Sequence, residues 1–154
     1  MIGYDGFKRI TGTKIHIAVD SNSLPVSIII SPANEHDSTK FVDVMENIPD
    51  HLSYSITKQI KSVFADKGYD SKIIREYLRN RNIIDCIPNR NFKIKSNKET
   101  NHNNCNKTRF TVERFFAWLK NGFHRTRIGY ERIAENYLAF ANIASIMMYW
   151  RVLG

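Results

Sequence analysis

Two acidic residues stand where chemistry could use them. Asp66 ends the apolar run "SVFA" and is followed by Gly68 in "ADKGYDS" (65–71), so it falls at the end of a strand. Glu113 lies inside "RFTVERFFAWLK" (109–120), among Phe, Phe and Trp. At about 100° per residue, Val112, Phe115, Phe116, Trp118 and Leu119 form one broad apolar arc of a helix. Arg109, four residues before Glu113, and Lys120, seven after it, share a narrow stripe with it beside that arc. An Asp at a strand end and a Glu on a helix packed beside it could share a divalent ion. Mg²⁺ takes few carboxylates, keeps waters and binds phosphate oxygens. Two such ions about 3.5–4 Å apart clamp the attacking and leaving oxygens of an in-line phosphoryl displacement. Each residue has an ordinary reading too. Asp before Gly after a strand is turn chemistry, and a charged stripe beside an apolar arc is an ion-paired helix edge.

The charge distribution bears on the choice. The chain has 154 residues and a net charge of +8, and residues 88–127 hold ten Lys or Arg against two acids, so the whole excess sits around the Glu113 helix. A surface that binds phosphates looks like this, as does a merely soluble basic loop. Hydrophobic content of 42% and aromatic content of 12% fit one globular domain over 1–154 rather than a disordered chain. Two cysteines, Cys86 and Cys105, make no disulfide framework and fit a reducing cytoplasm. His102 and Cys105 lack the second Cys/His pair a zinc site needs. The start has no signal-peptide core, and the most apolar run, 137–150, is too short to span a bilayer.

The positioning elements follow from periodicity. "TKIHIAVD" (13–20) alternates, with Ile15, Ile17 and Val19 on one face, and "VSIIIS" (26–31) completes a hairpin. Ser38 is expected to cap a helix over about 39–48. A short strand ending at Asp66 precedes a helix capped by Ser71 and running to about Arg81, with Ile73, Ile74, Tyr77 and Leu78 inward. "IDCIP" (84–88) is a further strand. "NRNFKIKSNKETNHNNCNKT" (89–108) is an Asn/Lys-rich stretch without periodicity, read as a mobile basic loop. Helices over 109–121 and about 133–152 close the chain. This order implies a mixed α/β sheet with flanking helices, in which chemistry gathers at the carboxyl ends of strands. Asp37, Asp43, Glu46 and Asp50 read as solvent-facing or capping, and His36–Asp37 has little support as a catalytic dyad.

Over nearly its whole length the chain resembles the C-terminal catalytic part of bacterial insertion-sequence transposases of the Asp-Asp-Glu type, in insertion-sequence families four and five. Residues 3–37 are similar to the family's hairpin region, and "ADKGYDS" is similar to the segment carrying its second catalytic Asp, which maps to Asp66. "RFTVERFFAWLK" resembles the last three members of a Tyr-x2-Arg-x3-Glu-x6-Lys pattern, as Arg109, Glu113 and Lys120. The Tyr position is Asn106 here. The family's first catalytic Asp lies upstream of "GYDG", and neither Asp5 nor Asp20 corresponds to it.

The resemblance implies a ribonuclease-H-like fold lacking its first strand. Asp66 and Glu113 are then catalytic and metal-binding, with Mg²⁺ or Mn²⁺ as the ion. Arg109, Lys120, Arg114, Arg125 and Arg127 are the expected DNA contacts, with Arg109 and Lys120 also helping to keep Glu113 ionised. The implied function is metal-dependent cleavage and transfer of DNA strands in transposition, by a homo-oligomer or with a complementing upstream segment, and without a membrane. The alternative is a DNA-binding remnant that has lost turnover. An unrelated α/β nuclease using Asp20 is a third reading, set against the easy turn explanation for a strand-end Asp.

Overall fold

The computed structural model describes residues 2–6, 9–49, 60–90, 102–123 and 133–154. They contain strands β1 (Gly3–Asp5), β2 (Ile10–Val19), β3 (Pro25–Pro32), β4 (Ser62–Phe64) and β5 (Ile84–Cys86). The helices are α1 (Phe41–Glu46), α2 (Lys72–Asn80), α3 (His102–Gly122) and α4 (Ala134–Leu153). Single 3-10 turns precede α1 at Asp37–Lys40 and α2 at Lys67–Tyr69. The chain divides into two compact units, one of Met1–His36 with Thr111–Gly154, the other of Asp37–Phe110.

In the first unit β1, β2 and β3 form an antiparallel sheet in that order. Ile15 pairs with Ile30 and Ile17 with Ile28, as the alternation predicts, and a bulge falls at Ala18/Val19. Asp20 makes the hairpin turn: its Oδ1 accepts from the N–H groups of Asn22 at 2.9 Å and Leu24 at 2.8 Å. Ile15, Ile17 and Val19 pack against Phe115 and Leu119 of α3 and Ala144 and Met148 of α4. The apolar arc of α3 is therefore what seats it: Phe115 and Leu119 are fully covered, with Phe116 and Trp118 at the margin. Tyr149 adds a hydrogen bond from its hydroxyl to the carbonyl of Pro25, 2.9 Å.

In the second unit β4 and β5 pair in parallel, Val63 opposite Asp85, with α2 as the crossover between them. Ile74 and Leu78 of α2 join Phe41, Met45, Ile83 and Ile87 in its core. Ser71 caps α2 as expected, accepting from the Ile74 N–H at 3.3 Å. The other end is a Schellman closure: the Ile83 N–H reaches the Leu78 carbonyl at 2.9 Å and the Asn82 N–H that of Arg79 at 3.0 Å. Asn82 takes the left-handed conformation this requires, φ 55°.

Four readings need correction. Ser38 is not the cap of α1: it lies inside the 3-10 turn, and α1 starts after Lys40, whose side chain makes no cap. Ile73 is 72% exposed, because the arc centred on Ile74 and Leu78 is too narrow to take it in. The helix holding Glu113 begins at His102, so 102–108 is helical rather than loop. Neither Gly nor Pro interrupts 91–121, and once a packed helix is nucleated each further turn is cheap to add. Finally, the described strands make two sheets, antiparallel and parallel, where one mixed sheet was expected, and β1 was not foreseen.

Candidate metal and nucleic-acid site

Asp66 follows β4 by two residues and opens the turn Lys67–Tyr69. Its backbone is extended, its Oδ1 accepts from the Lys67 N–H at 2.7 Å, and its carbonyl accepts from the Tyr69 N–H at 2.9 Å. The residue is exposed, and capping engages one of its two carboxylate oxygens. Asp66 therefore has the turn role that its place before Gly68 suggests. Tyr69 packs against Phe41 with the two rings tilted at 60° and their centroids 6.0 Å apart. Burial, with Asp37 and Asp66 nearby, pushes its hydroxyl up to about 12.

Behind the turn lies a polar network that periodicity did not reveal. Arg75 of α2 donates to Asp70 Oδ1 from Nε at 3.0 Å and Nη2 at 2.9 Å, and to Asp85 Oδ2 from Nη1 at 2.8 Å. Nη2 also reaches the Ile87 carbonyl at 3.0 Å and Asn89 Oδ1 at 2.8 Å. Burial alone would lower the guanidinium's affinity for its proton; the bonds to Asp70 and Asp85 overcome it and raise it. The Arg90 N–H, then the Arg75 guanidinium, hold the Asp70 carboxyl below its ordinary value. The only advance signal was composition: two acids and an arginine bracketing a capped helix start.

Glu113 lies in the other unit, exposed on α3, on a face turned away from buried Phe115 and Leu119. Arg114 and Lys120 are exposed on the same helix. The side chain of Arg109, and Arg125 and Arg127 entirely, lie outside the described residues, as do the side chains of His102 and Cys105. Asp20, whose Oδ1 is taken by two backbone N–H groups, is a turn residue. Among the described residues no three His, Cys, Asp or Glu side chains gather as an ion site of that size would need. No described helix is long and apolar enough to cross a membrane.

The family described as Transposase DDE domain matches residues 2–150, a span that takes in both Asp66 and Glu113. This chain belongs to the DDE transposase family. It is 34% identical over 145 residues to the protein of Burkholderia cepacia named as transposase for insertion sequence element IS402, covering 92% of this chain and 64% of that protein. It is 29% identical over 122 residues to the transposase for insertion sequence element IS1106 of Neisseria meningitidis serogroup B, covering 77% of this chain and 39% of that protein. The chain therefore spans less than two thirds of the curated relatives it matches. No solved structure matches it significantly.

Proposed function

We propose that this chain is the catalytic portion of an insertion-sequence transposase, which cuts and joins DNA strands at element ends and target with the help of a divalent ion. The observation that carries this reading is the family match across residues 2–150. We read 1–154 as one catalytic domain of ribonuclease-H-like type. The antiparallel hairpin, the parallel β4–α2–β5 crossover and an acidic residue at a strand's carboxyl end support that assignment.

Asp66 and Glu113 are the residues we assign to the ion. Exposed carboxylates are hard oxygen donors of the kind Mg²⁺ and Mn²⁺ prefer. When bound, such an ion stabilises charge on the phosphoryl oxygens and helps activate the attacking hydroxyl or water. What the chain's own residues contribute is placement. The cap fixes Asp66 by one oxygen, and Phe115 and Leu119 anchor α3 so that Glu113 faces solvent. Arg114 and Lys120, with Arg109, Arg125 and Arg127, are assigned to DNA phosphates, where each neutralised phosphate releases counterions. The protein acts in the cytoplasm, on DNA.

Iron-directed cleavage tests the assignment. With Fe²⁺ in place of Mg²⁺, ascorbate and peroxide, the backbone should be cut beside both Asp66 and Glu113, and excess Mg²⁺ should suppress both cuts. Cuts elsewhere, or cuts that survive Asp66→Asn and Glu113→Gln together, overturn it.

A further inference from the structure

Arg90 belongs to the basic stretch 88–127, and its guanidinium is turned onto neutral backbone. Nε donates to the Lys67 carbonyl at 3.1 Å and Nη2 to the Gly68 carbonyl at 2.9 Å. These carbonyls belong to the turn that Asp66 caps. Lys67 is therefore gripped at both ends, its N–H by Asp66 Oδ1 at 2.7 Å and its carbonyl by Arg90. Arg90 is itself held: its backbone N–H donates to Asp70 Oδ2 at 2.8 Å, while Arg75 holds Asp70 Oδ1 and ties it to Asp85 on β5. Hydrogen bonds thus run without a break from β5 to the Asp66 turn.

We infer that Arg90 is a positioning residue: its fork on the Lys67 and Gly68 carbonyls sets the orientation of the Asp66 carboxylate. The geometry favours this over a plain surface staple, because a planar fork on two successive carbonyls fixes a peptide direction, which a point charge does not. Partners one step removed from a ligand commonly change metal affinity by about 10–100-fold when lost. The inference rests on the reading of Asp66 as an ion ligand.

The test uses the whole chain, Mn²⁺ as probe, and two readouts: Mn²⁺ affinity by electron paramagnetic resonance, and hydrogen exchange of the Lys67 amide. Arg90→Gln should weaken Mn²⁺ binding about tenfold and speed Lys67 exchange, with Arg90→Lys giving at most partial recovery. Arg81→Ala, which removes an ion pair to Glu46 on the same unit, is the control for general loosening and should change neither. If Arg90→Gln does not fold, the same readouts on Arg90→Lys decide. Arg90 variants that match the Arg81→Ala control in both readouts overturn the inference. If Asp66→Asn leaves Mn²⁺ affinity unchanged, it is the ion assignment that fails, and Lys67 exchange still decides whether the clamp exists.

Discussion

Arg75 on α2 and Asp85 on β5 are joined by a contact of 2.8 Å between Nη1 and Oδ2. It fastens the crossover helix to the second of the two parallel strands that it connects, and the same guanidinium holds Asp70 beside the Asp66 turn. Its side chain is 23% exposed, so little solvent screens these bonds. Arg75→Met should destabilise the second unit by about 2–3 kcal/mol, the scale of hydrogen bonds to charged groups. Arg75→Lys should recover less than half, since an ammonium cannot serve both carboxylates in that plane. Denaturant unfolding of the two variants measures it.

Stability should fall at both ends of the pH scale, for separate reasons. Asp70 has a folded value below its unfolded one of about 3.9, chiefly through the Arg90 N–H. Its contribution is complete above the unfolded value and lost as pH falls through the folded one. Tyr77 behaves oppositely. Burial, then its hydrogen bond to Glu46 at 2.8 Å, pushes its hydroxyl up to about 12. Its contribution is complete below about pH 10 and lost as pH rises toward the folded value. Urea midpoints against pH should show an acid limb that Asp70→Asn flattens and an alkaline limb that Tyr77→Phe flattens.

Asp20 separates turn chemistry from metal chemistry. Asp20→Asn keeps the Oδ1 that accepts from Asn22 and Leu24, so stability should hold within about 0.5 kcal/mol, whereas Asp20→Ala should cost about 1–2 kcal/mol. Mn²⁺ affinity should be unchanged in both. A loss of Mn²⁺ binding in Asp20→Asn would make this residue an ion ligand.

Asn82 should tolerate glycine and reject a branched side chain. At φ 55°, Asn82→Val should cost about 1–2 kcal/mol, the penalty of the left-handed conformation. Asn82→Gly should be neutral or slightly stabilising. Thermal unfolding of both variants checks the Schellman closure.

Binding to DNA should be tolerant of sequence and steeply dependent on salt. Arg114→Gln and Lys120→Gln should each reduce the slope of log affinity against log salt by about one, as fluorescence anisotropy can measure. A flat salt response would remove the phosphate-binding face from α3.

Much of this protein was legible in residue order because its cause is local or periodic. The alternation of Ile15, Ile17 and Val19, the Ser71 cap and the apolar arc of α3 each follow from side chains a few positions apart, and each is present. The exposure of Glu113 follows from the helix period of that arc, and that of Asp66 from the turn it opens. Local signals failed where a competing local solution was as good: Ser38 fits a 3-10 turn as readily as a cap, and Ile73 sat at the rim of its arc. What only the tertiary structure decided are pairings between distant residues. On the face of the hairpin opposite Ile15 and Ile17, the polar residues His16, Ser27 and Ser31, which alternation alone would give to water, are buried, with His16 hydrogen-bonded to Ser31 at 2.7 Å. Asp70, Arg75, Asp85 and Arg90 meet because a crossover helix returns the chain beside its own starting strand. No periodicity encodes such a meeting. A charge partly withdrawn from water must find its partner across the fold, and which partner it finds depends on how the backbone has already been placed.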